Sequence, residues 1–256
     1  MRILLANDDG ISARGLHVLA KTLSTFAEVF IVAPDRERSG TGHSITVFDP
    51  IWVDDFVSKD GIKGWVVGGT PADCVKMGIS RLVSPPPDLI VSGINKGANL
   101  GTDVLYSGTV SAAVEGVIMG IPSIAVSLTT FEHDADYDYA ARYTRALIRI
   151  LTSTGIDKNT LVNVNIPAVA PEEIKGTRIT RLGSRRYENL FDKHMDPRGR
   201  TYYWMGGDVI EEEQEPDSDV AANQANFISV TPIHFDLTDY RLIEEFKQKF
   251  SQYLGE

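Results

Sequence analysis

Residues 1–11 read MRILLANDDGI and join an apolar run to two adjacent carboxylates. The continuous run Ile3-Leu4-Leu5 predicts a buried strand over residues 2–7. Asp8 and Asp9 then stand at the strand end, where burial of a charge costs free energy unless it is compensated. A divalent cation could compensate both charges, and oxygen ligands of this kind suit Mg²⁺ or Mn²⁺. The alternative is that Asp9 caps the first helix while Asp8 pairs with an arginine.

The chain continues as an alternation of apolar strands and helical patterns. Further strands are predicted over residues 28–33, 65–67, 88–92, 122–128 and 161–166, with a short strand or hairpin near 51–53. The predicted class is therefore α/β, with a parallel sheet covered by helices on both faces. Ligands of such sheets bind beyond the carboxyl ends of the strands. The loops that follow the first, second and 88–92 strands should accordingly lie together.

After about residue 176 the alternation of apolar strands and helices gives way to segments rich in charged residues, proline and glycine. This change predicts a core over residues 1–176 and an extension over residues 177–256. The extension contains an extended aromatic stretch at 202–204, an acidic loop at 211–219 and a strand at 227–232. A final helix is predicted from an apolar stripe made of Leu242, Phe246, Phe250 and Tyr253. We expect this arm to pack on a neighbouring subunit. A hairpin folded back on its own domain is the alternative.

Composition limits the kinds of partner. The chain has 256 residues, a net charge of −10 and an estimated pI of about 5.0. This balance argues against a broad basic face for a nucleic-acid polymer or an anionic membrane. The chain has one cysteine, Cys74, so an intramolecular disulfide is ruled out. No apolar stretch approaches the roughly 18 residues of a membrane span. No signal peptide is visible, so a cytoplasmic protein is expected.

Two further stretches could carry chemistry. Ser107-Gly108-Thr109 opens a predicted helix, whose free N–H groups and dipole favour a phosphate; an ordinary serine N-cap is the alternative. The spacings of a P-loop and of a dinucleotide-binding fingerprint are absent. Ser39 and His43 are residue types of nucleophilic catalysis, but the chain has no G-x-S-x-G elbow. The role of His43, functional or structural, stays open at this point.

Several longer motifs resemble those of one family. They are NDDG, APDRERSGTGHSIT, GTPADCV, SGIN, YSGTVSAAVEG and DPRGRTYYWMGG. Together they closely resemble the SurE (survival protein E) family of metal-dependent nucleoside 5′- and 3′-phosphate phosphatases. The resemblance implies that Asp8, Asp9, Ser39 and Asn95 bind one divalent metal ion per subunit. It also implies a Rossmann-like sheet with a C-terminal hairpin and helix exchanged between subunits, in cytoplasmic homodimers or homotetramers.

The resulting hypothesis is hydrolysis of nucleoside monophosphates by a metal-activated water, and the resemblance extends it to short polyphosphate. Asp8, Asp9 and Asn95 are the expected catalytic residues. The candidates for binding substrate phosphate are Asn99, Ser107, Gly108 and Thr109, with Lys96 and His43 as further candidates. A covalent role for Asp8 would need a second acid two residues on, where the chain has Gly10. A non-catalytic sensor of nucleotide and metal is the alternative function.

Overall fold

The computed structural model describes residues 1–132, 134–153, 155–210 and 212–254, and most of its strands form one large sheet. The strands are β1 (Arg2–Ala6), β2 (Glu28–Pro34), β3 (Val53–Val57), β4 (Lys63–Val67), β5 (Leu89–Lys96), β6 (Ser123–Thr129), β7 (Leu161–Pro167), β8 (Thr177–Ile179), β9 (Tyr187–Glu188), β10 (Phe191–Met195), β11 (Thr201–Met205), β12 (Asp208–Val209) and β13 (Ile228–Pro232). The helices are α1 (Arg14–Leu23), α2 (Pro71–Met77), α3 (Gly108–Ile118), α4 (Asp138–Ser153), α5 (Asp219–Gln224) and α6 (Tyr240–Leu254). A π-helical turn, Gly78–Leu82, extends α2, and short 3₁₀ turns cover Gly101–Leu105 and Pro171–Glu173.

The large sheet has nine strands in the order β3-β4-β2-β1-β5-β6-β7-β13-β8. The six strands from β4 to β7 in that order are parallel to their neighbours. β3 and β13 each pair antiparallel with the strand beside them, β4 and β7. The prediction of a mostly parallel α/β sheet is therefore confirmed. β1 lies between β2 and β5, which brings the carboxyl ends of all three strands to one edge.

Helices cover both faces of the sheet. Successive side chains of a strand point to opposite faces, and β1 follows this rule: Ile3 packs in the core that includes α1 and α4, and Leu4 packs in the core that includes α2 and α3. Both faces being buried explains why the strands read as continuous apolar runs. No helix in the described part of the chain is long and apolar enough to cross a bilayer.

Helix starts agree well with the sequence signals. The Thr70 hydroxyl accepts a hydrogen bond from the Asp73 N–H at 3.1 Å, and Asp73 Oδ2 accepts one from the Thr70 N–H at 2.9 Å, which makes a capping box at α2. The Ser107 hydroxyl caps α3 by accepting from the Val110 N–H at 3.1 Å. The strand expected near residues 51–53 lies slightly later, at Val53–Val57.

The C-terminal region has two parts with different surroundings. β13 and β8 belong to the large sheet, so the sheet continues past the division predicted at residue 176; that division itself stays a prediction. In contrast, β10 and β11 form a separate hairpin in which every strand residue is exposed. The expected acidic loop is a loop over residues 212–218, Asp219 begins α5, and Glu211 lies outside the described residues.

Candidate metal and phosphate site

The predicted ligand residues lie at the carboxyl edge of three neighbouring strands. Asp8 and Asp9 follow β1, Ser39 lies in the loop after β2, and Asn95 is the next-to-last residue of β5. Two hydrogen bonds join these segments: the Arg38 N–H donates to the Asp8 backbone carbonyl at 2.7 Å, and the Lys96 N–H donates to the side-chain oxygen Asp9 Oδ2 at 3.3 Å. The fold thus brings together three segments that are far apart in sequence, as expected for parallel sheets.

Asp8 packs directly against the beginning of α3. Asp8 is only 4% exposed, and its carboxylate accepts a hydrogen bond from the Thr109 hydroxyl. A Cβ atom on Gly108 would lie 2.7 Å from the Asp8 Cβ, so a side chain at this position would displace the acid. The absence of a side chain at Gly108 therefore lets the helix N-terminus, with its free N–H groups and positive dipole end, approach Asp8 closely.

The negative charge of the acid pair is only partly compensated by neighbouring groups. Burial raises the pKa of Asp8, although hydrogen bonds from Thr109 oppose the shift. Burial, together with the charge of Asp8, raises the pKa of Asp9 to about 6. Within the residues that the structure describes, neither carboxylate forms an ion pair with a basic side chain. An opposite charge at this position would therefore relieve both shifts.

The alternative explanation of the two acids is not supported. The N-cap of α1 is Ala13, which makes no side-chain hydrogen bond, so Asp9 does not cap that helix. The expected arginine partner of Asp8 is likewise missing among the described ion pairs; the nearby Arg38 side chain pairs with Asp35 at 3.0 Å. Local structural roles thus leave the charges of Asp8 and Asp9 unexplained.

The donor atoms fit a hard cation. Asn95 is 8% exposed, and its amide nitrogen donates to the Gly97 carbonyl at 2.9 Å, which fixes the side chain. The Ser39 hydroxyl lies in an exposed loop and donates to Glu37 Oε1 at 2.9 Å. Among the described residues, no group of three or more His, Cys, Asp and Glu side chains could hold a metal. A cation here would therefore depend on two carboxylates and neutral oxygen atoms, which suits Mg²⁺ or Mn²⁺ better than Zn²⁺.

Comparison with known proteins identifies the family. The model of the family described as survival protein SurE matches residues 3–189. This chain belongs to the SurE family.

SurE relatives match this chain over nearly its full length. A protein of Syntrophomonas wolfei named 5′-nucleotidase SurE is 64% identical, and the match covers 100% of this chain and 98% of the relative. One of the same name from Heliobacterium modesticaldum is 56% identical over 96% of this chain and 90% of its own length. The crystal structure of the SurE protein from Aquifex aeolicus matches with a TM-score of 0.84 and 38% identity, covering 100% of both chains.

Two of the expected phosphate-binding residues of this SurE chain are engaged elsewhere. The Asn99 side chain donates to Ser127 Oγ at 2.8 Å, and the Asn99 N–H donates to Asn165 Oδ1 at 2.8 Å. His43 Nε2 lies 2.9 Å from Glu115 Oε2 on α3. These contacts hold the loop that contains Asn99 to β6 and β7 and the loop that contains His43 to α3. Binding of phosphate by Asn99 or His43 stays a prediction.

Glu115 is a buried acid that the sequence reasoning missed. It is 3% exposed and also pairs with Lys76 Nζ at 3.1 Å. Burial alone would raise the pKa of Glu115, but the hydrogen bonds from His43 and Lys76 outweigh this and hold it below its ordinary value. The only available signal was one acid inside the apolar stretch VSAAVEGV. Glu115 ties the loop that carries Ser39 and His43 to the helix that begins at the site.

Proposed function

We propose that this SurE-family protein is a phosphomonoesterase that depends on a divalent metal ion and hydrolyses nucleoside 5′-monophosphates. We extend the proposal to 3′-monophosphates and short polyphosphate. The observation that carries it is the adjacent pair Asp8 and Asp9, neither of which forms an ion pair with a basic side chain among the described residues. Asp8 is buried against the N-terminus of α3, and Asp9 is half-buried beside it. The curated relatives are named 5′-nucleotidase SurE, which confirms the prediction of a phosphoric monoester hydrolase.

Asp8, Asp9, Ser39 and Asn95 would hold one Mg²⁺ or Mn²⁺ ion per subunit. Support comes from their oxygen donors and from the only partly compensated charge of the acids. When bound, such an ion neutralises charge on phosphoryl oxygens and lowers the pKa of water.

The chain itself would supply positioning. The start of α3, at Gly108 and Thr109, packs against Asp8, so the positive end of the helix dipole lies beside the acid pair and favours a phosphate there. The Thr109 hydroxyl holds Asp8 in one orientation by donating to its Oδ1 atom. Lys96 is exposed beside Asp9 and adds positive charge to the same edge. Phosphoryl transfer needs mainly such alignment and charge neutralisation, so few additional groups are required.

Ser107 and Asn99 would contribute indirectly. Ser107 uses its hydroxyl to cap α3 and its carbonyl to accept from Ser111 Oγ at 2.7 Å, which stabilises the phosphate-binding end of the helix. Asn99 fixes the preceding loop, because its carbonyl accepts from Asn163 at 2.8 Å and from Asn165 at 3.0 Å. We therefore propose that these two residues position the site.

The test is phosphate release from a panel of 5′- and 3′-nucleoside monophosphates and tripolyphosphate, with Mg²⁺, with Mn²⁺ and with EDTA. The proposal predicts turnover of the monophosphates with a metal ion and none with EDTA. No turnover under any metal would contradict it and favour a nucleotide and metal sensor. Turnover that persists in EDTA would contradict the role of the metal.

We also propose that the chain forms a homodimer or homotetramer through its C-terminal extension. The hairpin of β10 and β11 exposes Tyr203, Trp204 and Met205 at 58%, 66% and 76%, and α6 exposes Phe246 and Phe250 at 50% and 49%. Apolar surface of this extent is unusual for a monomer. Light scattering should show an oligomer at micromolar concentration and a smaller species after deletion of residues 240–256. A monomeric full-length chain would contradict the proposal.

A further inference from the structure

A cleft of about 380 Å³ opens beside Asp9. Its lining includes Asp9, Ser12, Arg14, Lys96 and Tyr137. Ser12 and Arg14 belong to the start of α1, and Tyr137 immediately precedes α4, so the cleft lies on the face of the sheet that α1 and α4 cover. The contact of Asp8 with Thr109 lies on the other face, with α3. The volume falls within the range of small-molecule sites.

The cleft is built from tightly packed parts. A Cβ atom on Gly15 would lie 2.2 Å from the Ile94 carbonyl oxygen and 3.0 Å from Cε1 of Tyr137. The first turn of α1, the end of β5 and the Tyr137 ring are therefore in direct contact. Tyr137 is 5% exposed, yet it still lines the cleft. A wall of this rigidity suits recognition of a ligand, because little order is lost on binding.

Arg14 has no evident structural role. It lies in the first turn of α1, where a positive charge opposes the helix dipole. Its side chain is exposed, and it forms no ion pair within the described ranges of the chain. Burial raises the pKa of Tyr137. The negative charge of Asp9 raises this pKa further, and the positive charge of Arg14 lowers it, so the three side chains lie close enough to interact electrostatically. Arg14 and Tyr137 thus present two hydrogen-bonding side chains beside Asp9 that have no side-chain partner in the described part of the chain.

We propose that this cleft binds the nucleoside part of the substrate, with Arg14 and Tyr137 as the residues that favour nucleotides over other phosphate monoesters. The inference rests on the proposed function. A phosphate bound at the acid pair leaves its ester substituent to extend past Asp9, where the cleft begins. A planar guanidinium stacks on a base or donates to its acceptors, and a phenol donates to or accepts from ribose hydroxyls.

Steady-state kinetics test the proposal with three substrates that share the phosphate ester. 5′-AMP carries sugar and base, ribose 5-phosphate carries the sugar alone, and p-nitrophenyl phosphate carries neither. The measured quantity is the ratio of kcat/KM for 5′-AMP to kcat/KM for p-nitrophenyl phosphate within each variant. In Arg14→Ala this ratio should fall about 10- to 100-fold, through KM, as expected for loss of a charged hydrogen-bond donor. Tyr137→Phe keeps the packed ring and should lower the ratio about fivefold to tenfold.

Lys21→Ala is the matched control, because Lys21 is a basic residue in the last turn of the same helix and does not line the cleft. Its ratio should equal that of the wild type. Ribose 5-phosphate locates the contact: loss shared with 5′-AMP points to the sugar, and loss confined to 5′-AMP points to the base. Both patterns support the proposal.

An unchanged ratio in both cleft variants would overturn the proposal, and so would a wild type that does not prefer 5′-AMP to p-nitrophenyl phosphate. If the wild type hydrolyses none of the substrates with any metal, the proposed function fails, and calorimetry then tests the cleft separately. In that case Arg14→Ala should still weaken binding of 5′-AMP about tenfold relative to inorganic phosphate. Equal weakening of both ligands would overturn the nucleoside cleft.

Discussion

The pKa of Asp9 makes the stability of the metal-free protein depend on pH. The folded state raises this pKa from 3.8 to about 6, so folding favours the neutral carboxyl. The contribution of this group to stability is therefore fully present below about pH 3.8 and is lost as the pH rises through 6. Two pKa units correspond to about 3 kcal/mol, which is an upper value because Asp9 is partly exposed and solvent screens its charge.

Asp9→Asn isolates this effect, since asparagine resembles the neutral acid. Urea denaturation in EDTA should give similar free energies of unfolding for wild type and variant at pH 4. At pH 7 the wild type should be less stable by up to about 3 kcal/mol. Adding Mg²⁺ or Mn²⁺ at pH 7 should stabilise the wild type and have a much smaller effect on the variant. Asp55→Asn, at an exposed position, controls for loss of a surface charge. A difference in free energy of unfolding between wild type and Asp9→Asn that does not change with pH would contradict a raised pKa of Asp9.

Two other substitutions test the packing around the site. Gly108→Ala would place a Cβ atom 2.7 Å from the Asp8 Cβ and should lower kcat/KM for 5′-AMP at least about tenfold. The control Gly68→Ala meets only ordinary contacts at 3.6 Å and should keep the wild-type kcat/KM. Equal kcat/KM values in the two variants would contradict the close contact of Gly108 with Asp8. The two carboxylate oxygens of Asp219 accept hydrogen bonds from the Gly101 N–H at 2.9 Å and from the Gly183 N–H at 2.8 Å. Asp219→Asn replaces one of these oxygens by an NH₂ group and should lower the free energy of unfolding in urea by about 1–3 kcal/mol. The exposed Asp217→Asn should cost less than about 1 kcal/mol, and a comparable loss in both would show that Asp219 is not an anchor.

Local signals predicted much of the fold. Ile3-Leu4-Leu5 identified the central strand because a strand buried on both faces needs an uninterrupted apolar run. Thr70 with Asp73 and Ser107 identified two helix starts, since capping involves residues only three positions apart. In each case the residues that decide the structure are neighbours in sequence.

Contacts between distant residues were beyond such reasoning. Thr109 contacts Asp8, which is 101 positions away in sequence, and His43 contacts Glu115, which is 72 positions away. No local sequence pattern can therefore predict either contact. β8 has only three residues, Thr177–Ile179, too few to show a period, and its place in the large sheet depends on pairing with β13. The acid pair could be predicted as a candidate site from its position after β1. Its contact with Gly108 required the structure.

We propose that Asp8 and Asp9 hold a divalent ion that the hydrolysis of nucleotides requires. The most direct test of this proposal is phosphate release from 5′-AMP by wild type and Asp8→Asn, each titrated with Mg²⁺ or Mn²⁺ from a metal-free start. We expect wild-type activity to appear only with metal, and we expect the variant, though folded by circular dichroism, to lose about two or more orders of magnitude in kcat/KM at saturating metal. A folded Asp8→Asn protein with near-full, metal-dependent activity would contradict the proposal.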